Sequence, residues 1–193
     1  MAIETEVKLR LPNGSASART LLDRLGYQVR RPRTLELDQL FDRPDGELQA
    51  TGRALRLRSA GGHWTLTYKG PALPTSSAPH KSREEIELPI EDGAAMELIL
   101  LALGYRPAFR YEKYRTVFTR AAESGVITLD ETPIGDFFEL EGPPDWIDRT
   151  TVTLGFPTAG HILSTYPMLY DEYCRQHPAL PRQMMIFQPF STP

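Results

Sequence analysis

The sequence predicts an α+β fold: an eight-stranded antiparallel β-barrel closed on itself, with helices packed outside. Three observations predict it. Charged residues recur at a period of two in five separate segments, the signature of one strand face. The residues between them are largely apolar, which gives each strand a second face that can pack under helices. Eight segments carry strand signals, about the number needed to close a barrel.

The strands fall near 2–11, 28–41, 53–60, 63–70, 82–90, 107–119, 125–131 and 136–142. Gly61-Gly62 between two alternating segments predicts a hairpin turn. Helices are expected near 15–25, 93–103, 144–154 and 161–176. Ser15 or Ser17 can cap the first, Gly26 can end it, and Pro143-Pro144 suits the first turn of the third. The stretch from Gly70 to Pro79 is rich in proline and serine and reads as a mobile loop, and the tail after Pro178 reads as irregular.

A weak internal repeat accompanies these elements. Glu4-x-Glu6, Glu85-x-Glu87 and Glu139-x-Glu141 each precede a helical stretch, ending Leu25-Gly26-Tyr27, Leu103-Gly104-Tyr105 and Leu154-Gly155-Phe156. Leu-Gly-aromatic is also a common helix exit in unrelated chains.

At 193 residues the chain is read as one domain, 1–193, long enough for a real core. A net charge of −3 offers no basic field to recruit nucleic acid. Cys174 is the single cysteine, so neither an intrachain disulfide nor a thiolate metal cage is possible. The acidic start and the lack of a long apolar run argue for a cytoplasmic protein without membrane attachment.

The chemistry is carried by the charge alternation. Glu4, Glu6, Lys8 and Arg10 form one series, Arg56 and Arg58 another, then Arg83, Glu85 and Glu87, then Lys113 and Arg115, then Glu139 and Glu141. Residues i and i+2 of a strand share a face about 6.6 Å apart. For any one pair, a solvated outer face explains the pattern. Five pairs together fit that reading less well, because like charges side by side repel. Leu55, Leu57, Ile86, Leu88, Phe138 and Leu140 occupy the opposite faces and are expected under the helices. The charged face then looks inward, and closure turns it into a lined tunnel. Leaving out Arg10 and adding Lys69 and Asp130 gives seven acids and seven bases. Such a lining suits a polyphosphate with roughly four negative charges and two divalent cations. Carboxylates are the hard ligands of Mg²⁺ or Mn²⁺, and arginine forks match phosphate oxygens.

These segments resemble the CYTH family, the triphosphate tunnel metalloenzymes. The opening Glu4-Thr5-Glu6-Val7-Lys8 is similar to that family's Glu-x-Glu-x-Lys signature. Further landmarks follow in order: Leu55-Arg56-Leu57-Arg58, Thr67-Tyr68-Lys69-Gly70-Pro71, Arg83-Glu84-Glu85-Ile86-Glu87, Lys113-Tyr114-Arg115, and Asp130 through Gly135 to Phe138-Glu139-Leu140-Glu141. The resemblance implies an enzyme with Mg²⁺ or Mn²⁺ acting on a small-molecule triphosphate. It implies that Lys8, Arg56, Arg58, Lys69, Arg83, Lys113 and Arg115 bind phosphate. Glu4, Glu6, Glu85, Glu87, Asp130, Glu139 and Glu141 would bind metal, directly or through water. Glu4, Glu6, Lys8 and Lys69 would be catalytic; the sequence itself leaves a homodimer open. Some members carry a late lysine near the tunnel mouth; this chain has none after Lys113.

Hydrolysis of inorganic or thiamine triphosphate is the expected reaction. Conversion of ATP to cyclic AMP and pyrophosphate, as in class IV adenylate cyclases, needs the same clamp and stays open. So does a polyphosphate-binding module without turnover. No Walker-type loop or nucleophile elbow is present. His63, His80, His161 and His177 read as surface or loop residues, Cys174 as packing, and Trp64 and Trp146 as core or hairpin residues.

Overall fold

All eight expected strands form, and all four expected helices. In the computed structural model, which describes residues 2–74 and 80–187, the strands are β1 (Ala2–Arg10), β2 (Gln28–Asp42), β3 (Ala54–Ala60), β4 (His63–Ala72), β5 (Lys81–Ile90), β6 (Arg106–Thr119), β7 (Val126–Thr132) and β8 (Gly135–Glu141). The helices are α1 (Gly14–Arg24), α2 (Glu47–Ala50), α3 (Gly93–Ala102), α4 (Pro144–Thr153) and α5 (Tyr166–Gln176). Two short strands, β9 (His161–Ile162) and β10 (Met184–Met185), add to the sheet. The eight long strands run β6-β2-β3-β4-β5-β1-β8-β7, and β7 pairs back onto β6. Every neighbour in this ring is antiparallel, so the barrel closes and leaves no free edge among these strands.

The turn chemistry is local. Gly61 and Gly62 both have positive φ, 56° and 83°, and join β3 to β4 in a two-residue hairpin. The three Leu-Gly-aromatic exits are one motif used three times. Tyr27, Tyr105 and Phe156 each donate their backbone N–H to a carbonyl five residues back, at 2.9–3.0 Å, over a left-handed glycine. The weak repeat is therefore a repeated strand–helix–glycine unit in space: β1–α1, β5–α3 and β8–α4.

Outer strand faces form the cores under α1, α3 and α4, and inner-face residues form the one under α5. Val7, Leu9, Phe138 and Leu140 pack under Leu22 of α1 and Trp146 and Ile147 of α4. Gly125 has no side chain because a Cβ there would sit 2.3 Å from the Trp146 indole. Under α3, Leu100 meets Phe41 and Leu57, with Trp64 and Leu66 packed alongside. On α5, Tyr166, Tyr170 and the buried Cys174 pack with Phe109, Tyr111, Phe137 and Met185. Tyr166 reaches inward-facing groups of β1, β6 and β7, so α5 closes one end of the barrel.

Several expectations need correction. Ile86 and Leu88 lie under no helix; they are 45 % and 55 % exposed, because α3 sits over β3 and β4 rather than β5. The last helix starts at Tyr166, since residues 158–162 form a 3-10 turn and β9. The tail is not wholly irregular: β10 pairs parallel with β6. Neither serine caps α1, which starts at Gly14; the Ser15 N–H instead donates to Oδ2 of Asp136 at 2.7 Å. β4 continues through Ala72, and residues 75–79 of the expected loop lie outside the described residues.

Candidate active site

Strand pairing fixes which side chains share the interior. Glu6 lies opposite Glu141 and Lys8 opposite Glu139 across β1–β8. Glu4 lies opposite Arg83 across β1–β5, and Lys69 opposite Glu85 across β4–β5. Arg58 lies opposite Asp38 across β2–β3, and Arg115 opposite Asp130 across β6–β7. All fourteen predicted site residues thus fall on the inner face of one barrel, but they form two different environments.

The first environment is dense ion pairing near α5. Asp130 receives four donors: Lys113 Nζ at 2.7 Å, Arg115 Nε at 2.6 Å, Arg115 Nη2 at 2.5 Å and the Tyr166 hydroxyl at 2.7 Å. Glu139 accepts from Lys8 Nζ at 2.6 Å and from Arg115. Burial would raise the Glu139 carboxyl, but Lys8, Arg115 and Lys113 hold it well below the usual range. Asp130 and Glu139 are thereby committed to cations of the chain itself. Arg58 binds Asp38 at 2.8 Å and Glu36 at 3.0 Å. Arg56 reaches Thr67 at 3.1 Å and Glu87 at 3.3 Å. Nη2 of Arg58 and Nε of Arg56 are buried without a hydrogen bond among the described residues, which leaves donors to spare.

The second environment is crowded and unbalanced. Glu4, Glu6, Glu85 and Glu141 line adjoining strands. Burial, then the charges of Glu141 and Glu85, push the Glu4 carboxyl up to about 8. Burial also raises Glu141 despite Arg115, with Glu6 and Glu85 adding to it. Glu85 is different: against the effect of burial, Lys69 at 2.5 Å and Arg83 at 3.1 Å hold it down. Bases crowd the same region. Burial, then Arg56 and Arg83, lower Lys69 to about 8. Burial, then Arg83, lower Lys81 to about 8.

A divalent cation fits this donor set chemically. Carboxylates that raise one another's pKa are those a hard cation stabilises in the ionised form. As they stand, no three such groups among the described residues converge tightly enough to clasp an ion.

Sequence reasoning missed four interior residues. Glu36 and Asp38 are buried and, against their burial, are kept ionised by Arg58, with Arg115 acting on Glu36 and Arg56 on Asp38. Their signal was present: Leu35-Glu36-Leu37-Asp38 alternates like the other series. Lys81 sits one period before Arg83 and was readable in the same way. Tyr166 carried no strand signal, because it arrives from α5. The reading of His80 also needs correction. It is buried, and its Nε2 lies 2.7 Å from Oδ1 of Asp148, outside the barrel.

Comparison with known proteins adds to this geometry. The CYTH domain family model matches residues 2–145. A Methanocaldococcus jannaschii protein that carries the provisional name adenylate cyclase, MJ0240, is 32% identical over 140 residues, covering 72% of this chain and 76% of that protein. Two solved structures share the fold. PH1819 from Pyrococcus horikoshii aligns with a TM-score of 0.73 at 24% identity, over 88% of this chain and 99% of the other. A Vibrio parahaemolyticus protein, also provisionally described as an adenylate cyclase, aligns with a TM-score of 0.73 at 20% identity, over 88% and 98%. Among the described residues, no helix is long and apolar enough to cross a membrane.

Proposed function

The chain belongs to the CYTH family, and from that premise we propose that it hydrolyses inorganic or thiamine triphosphate with a divalent metal ion. Members of this family are triphosphatases or class IV adenylate cyclases. One observation carries the proposal: the same cavity sets Glu4 and Glu141, whose carboxyls burial and neighbouring glutamates push up, beside Lys69 and Lys81, whose amines burial and Arg83 push down. A metal–triphosphate complex supplies the cation to the first group and the anion to the second.

Glu4, Glu6, Glu85 and Glu141 would hold Mg²⁺ or Mn²⁺. When bound, the ion supplies Lewis acidity toward phosphate oxygens. Lys69, Lys81 and Arg83 bind the phosphate chain beside these acids. The spare donors of Arg56 and Arg58 extend the cradle toward the closed end. Lys8, Lys113 and Arg115 hold positive charge at that end, fixed by Asp130 and Glu139. With a pKa near 8, Lys69 can protonate the leaving phosphate oxygen while a carboxylate of the acid wall takes the proton of the attacking water.

The cyclase reading has one observation in its favour, the name carried by the 32% identical relative. The test separates the two. Purified protein with Mg²⁺ or Mn²⁺ is incubated with tripolyphosphate, thiamine triphosphate and ATP, and the products are resolved by chromatography. Orthophosphate from either of the first two, without cyclic AMP from ATP, supports hydrolysis. Cyclic AMP with equal pyrophosphate as the main product replaces it with cyclisation. Tight binding without any product leaves a binding module.

A further inference from the structure

Helix α3 is apolar on every side. Its ten residues, GAAMELILLA, carry a single charge at Glu97, and a helix apolar all round is one that is covered all round. Only one side is covered. Gly93 and Leu100 are buried, and Met96 packs with Phe41, Leu57 and Trp64. The opposite side stands in solvent, with Leu98 67 % and Ile99 51 % exposed and Leu103, at the C-cap, 61 % exposed. Ala95, Leu98 and Ala102 are all exposed and follow the three-then-four spacing of a helix–helix seam, with small residues at both ends. The apolar strip continues onto the sheet, where Leu66 of the α3 cluster pairs with the exposed Leu88.

We infer that this face binds a second copy of the chain, in a two-fold contact that lays α3 antiparallel against its mate around Leu98. Charge selects a copy of the chain over other partners. The N-terminal end of α3 carries exposed Glu91 and the cap residue Asp92. The C-terminal end carries exposed Arg106, whose Nη1 donates to the Leu101 carbonyl at 3.0 Å, and Arg43, 4.9 Å above the Tyr105 ring. An antiparallel two-fold sets each acidic end against the mate's basic end, twice over, and the half-buried Glu97 beside Leu98 is the one charge near the centre. Such self-complementarity is what an isologous contact requires. Size agrees. Aliphatic side chains exposed by half or more, four of them here, with Ile86 just below, present roughly 500 Å² of apolar surface, the scale of an interaction patch. A two-fold contact doubles this to about 1,000 Å², the threshold for a specific interface, before its charged rim is added.

The contact lies outside the barrel, so it stands or falls independently of the reaction inside. Sedimentation velocity on the wild-type chain from about 1 to 100 μM covers the dissociation constants expected of such an interface. A concentration-dependent dimer is expected, with Leu98→Glu monomeric throughout and unchanged in circular dichroism and melting temperature. Leu98→Cys places two thiols across the two-fold axis; Cys174, the single native cysteine, is buried and stays silent. Mild oxidation should link Leu98→Cys into a dimer and leave Val152→Cys on α4, 74 % exposed, largely unlinked. A wild-type monomer at the highest concentration, a dimer that survives in Leu98→Glu, or equal linking of the two cysteine variants would overturn the inference.

Discussion

The phenol of Tyr166 donates to Oδ2 of Asp130 at 2.7 Å, tying the helix that closes the barrel to the ion cluster inside it. The same ring lies 4.6 Å from Lys8 Nζ and 5.0 Å from Lys113 Nζ, so one aromatic side chain touches both signs of the cluster. Burial, then Asp130 and Glu139, keep this phenol protonated far above its usual range, which preserves it as a donor.

Removing that hydroxyl is the first prediction. Tyr166→Phe keeps the ring contacts and deletes one hydrogen bond to a buried carboxylate, a loss of about 1.5–3 kcal/mol. At about 2–4 °C per kcal/mol for a chain of this size, melting should fall by roughly 3–12 °C. An unchanged midpoint would show that α5 is held by its apolar contacts alone.

The second prediction concerns metal. Activity should vanish in excess chelator and return with Mg²⁺ or Mn²⁺. Glu4→Gln and Glu141→Gln should lose turnover by tenfold or more, about 1.4 kcal/mol or greater, while melting stays level or rises, because each relieves crowding. Glu139→Gln should differ. It strips a partner from buried Lys8 and Arg115 and should cost about 3 kcal/mol of stability. Full turnover in chelator would sink the metal assignment, and equal melting losses in all three variants would erase the distinction between the two environments.

The pH dependence of the metal-free protein follows from Glu4. Its folded pKa of about 8 lies above the ordinary 4.5. The folded state therefore holds this proton more tightly than the unfolded chain. The stability so gained is whole below pH 4.5 and is lost as pH rises through 8. Lys69 and Lys81, lowered from 10.5, act in the opposite sense: their contribution is present above 10.5 and lost as pH falls through 8. Comparing wild type with Glu4→Gln isolates the acid. The wild-type melting temperature should drop relative to the variant between about pH 5 and 8, by roughly 3 °C once solvent screening is allowed for. Saturating Mg²⁺ should remove the difference. A difference that is flat with pH would mean that Glu4 titrates normally.

Much of this was legible in the sequence, for a physical reason. A strand that separates charge from apolar side chains announces both its period and its two faces, so Glu4-x-Glu6, Arg56-x-Arg58 and Glu139-x-Glu141 mark the lining directly. Sequence could not say how the lining divides. Asp130 and Glu139 look like Glu4 and Glu141 along the chain; only strand register and the arrival of Tyr166 set the first two against buried cations. Glu36 and Asp38 were overlooked although they alternate with leucines, because they fall within a fifteen-residue strand whose first half carries arginines and whose pairing is broken by bulges. Leu88 was misplaced because the apolar face of a strand does not tell which helix, if any, lies over it.

The phosphate clamp gives the last prediction, and the pairing changes how it must be tested. Alanine at Arg58 would remove a phosphate donor, but it would also leave buried Glu36 and Asp38 short of a partner. Breaking such pairs costs about 3–5 kcal/mol, enough to confuse lost binding with lost folding. Replacing both sides separates the two. In Arg58→Ala with Asp38→Asn, the unpaired charge is largely gone, so most of the melting temperature should return. Binding should not return, since the guanidinium is still missing. Calorimetric titration with tripolyphosphate should show the double variant weaker than wild type by about 1.5–3 kcal/mol, the range for charge-assisted hydrogen bonds. Asp38→Asn alone should bind at least as tightly as wild type, because it frees Arg58 Nε for the ligand. If the double variant recovers both stability and wild-type affinity, Arg58 serves the fold and the phosphate is held elsewhere.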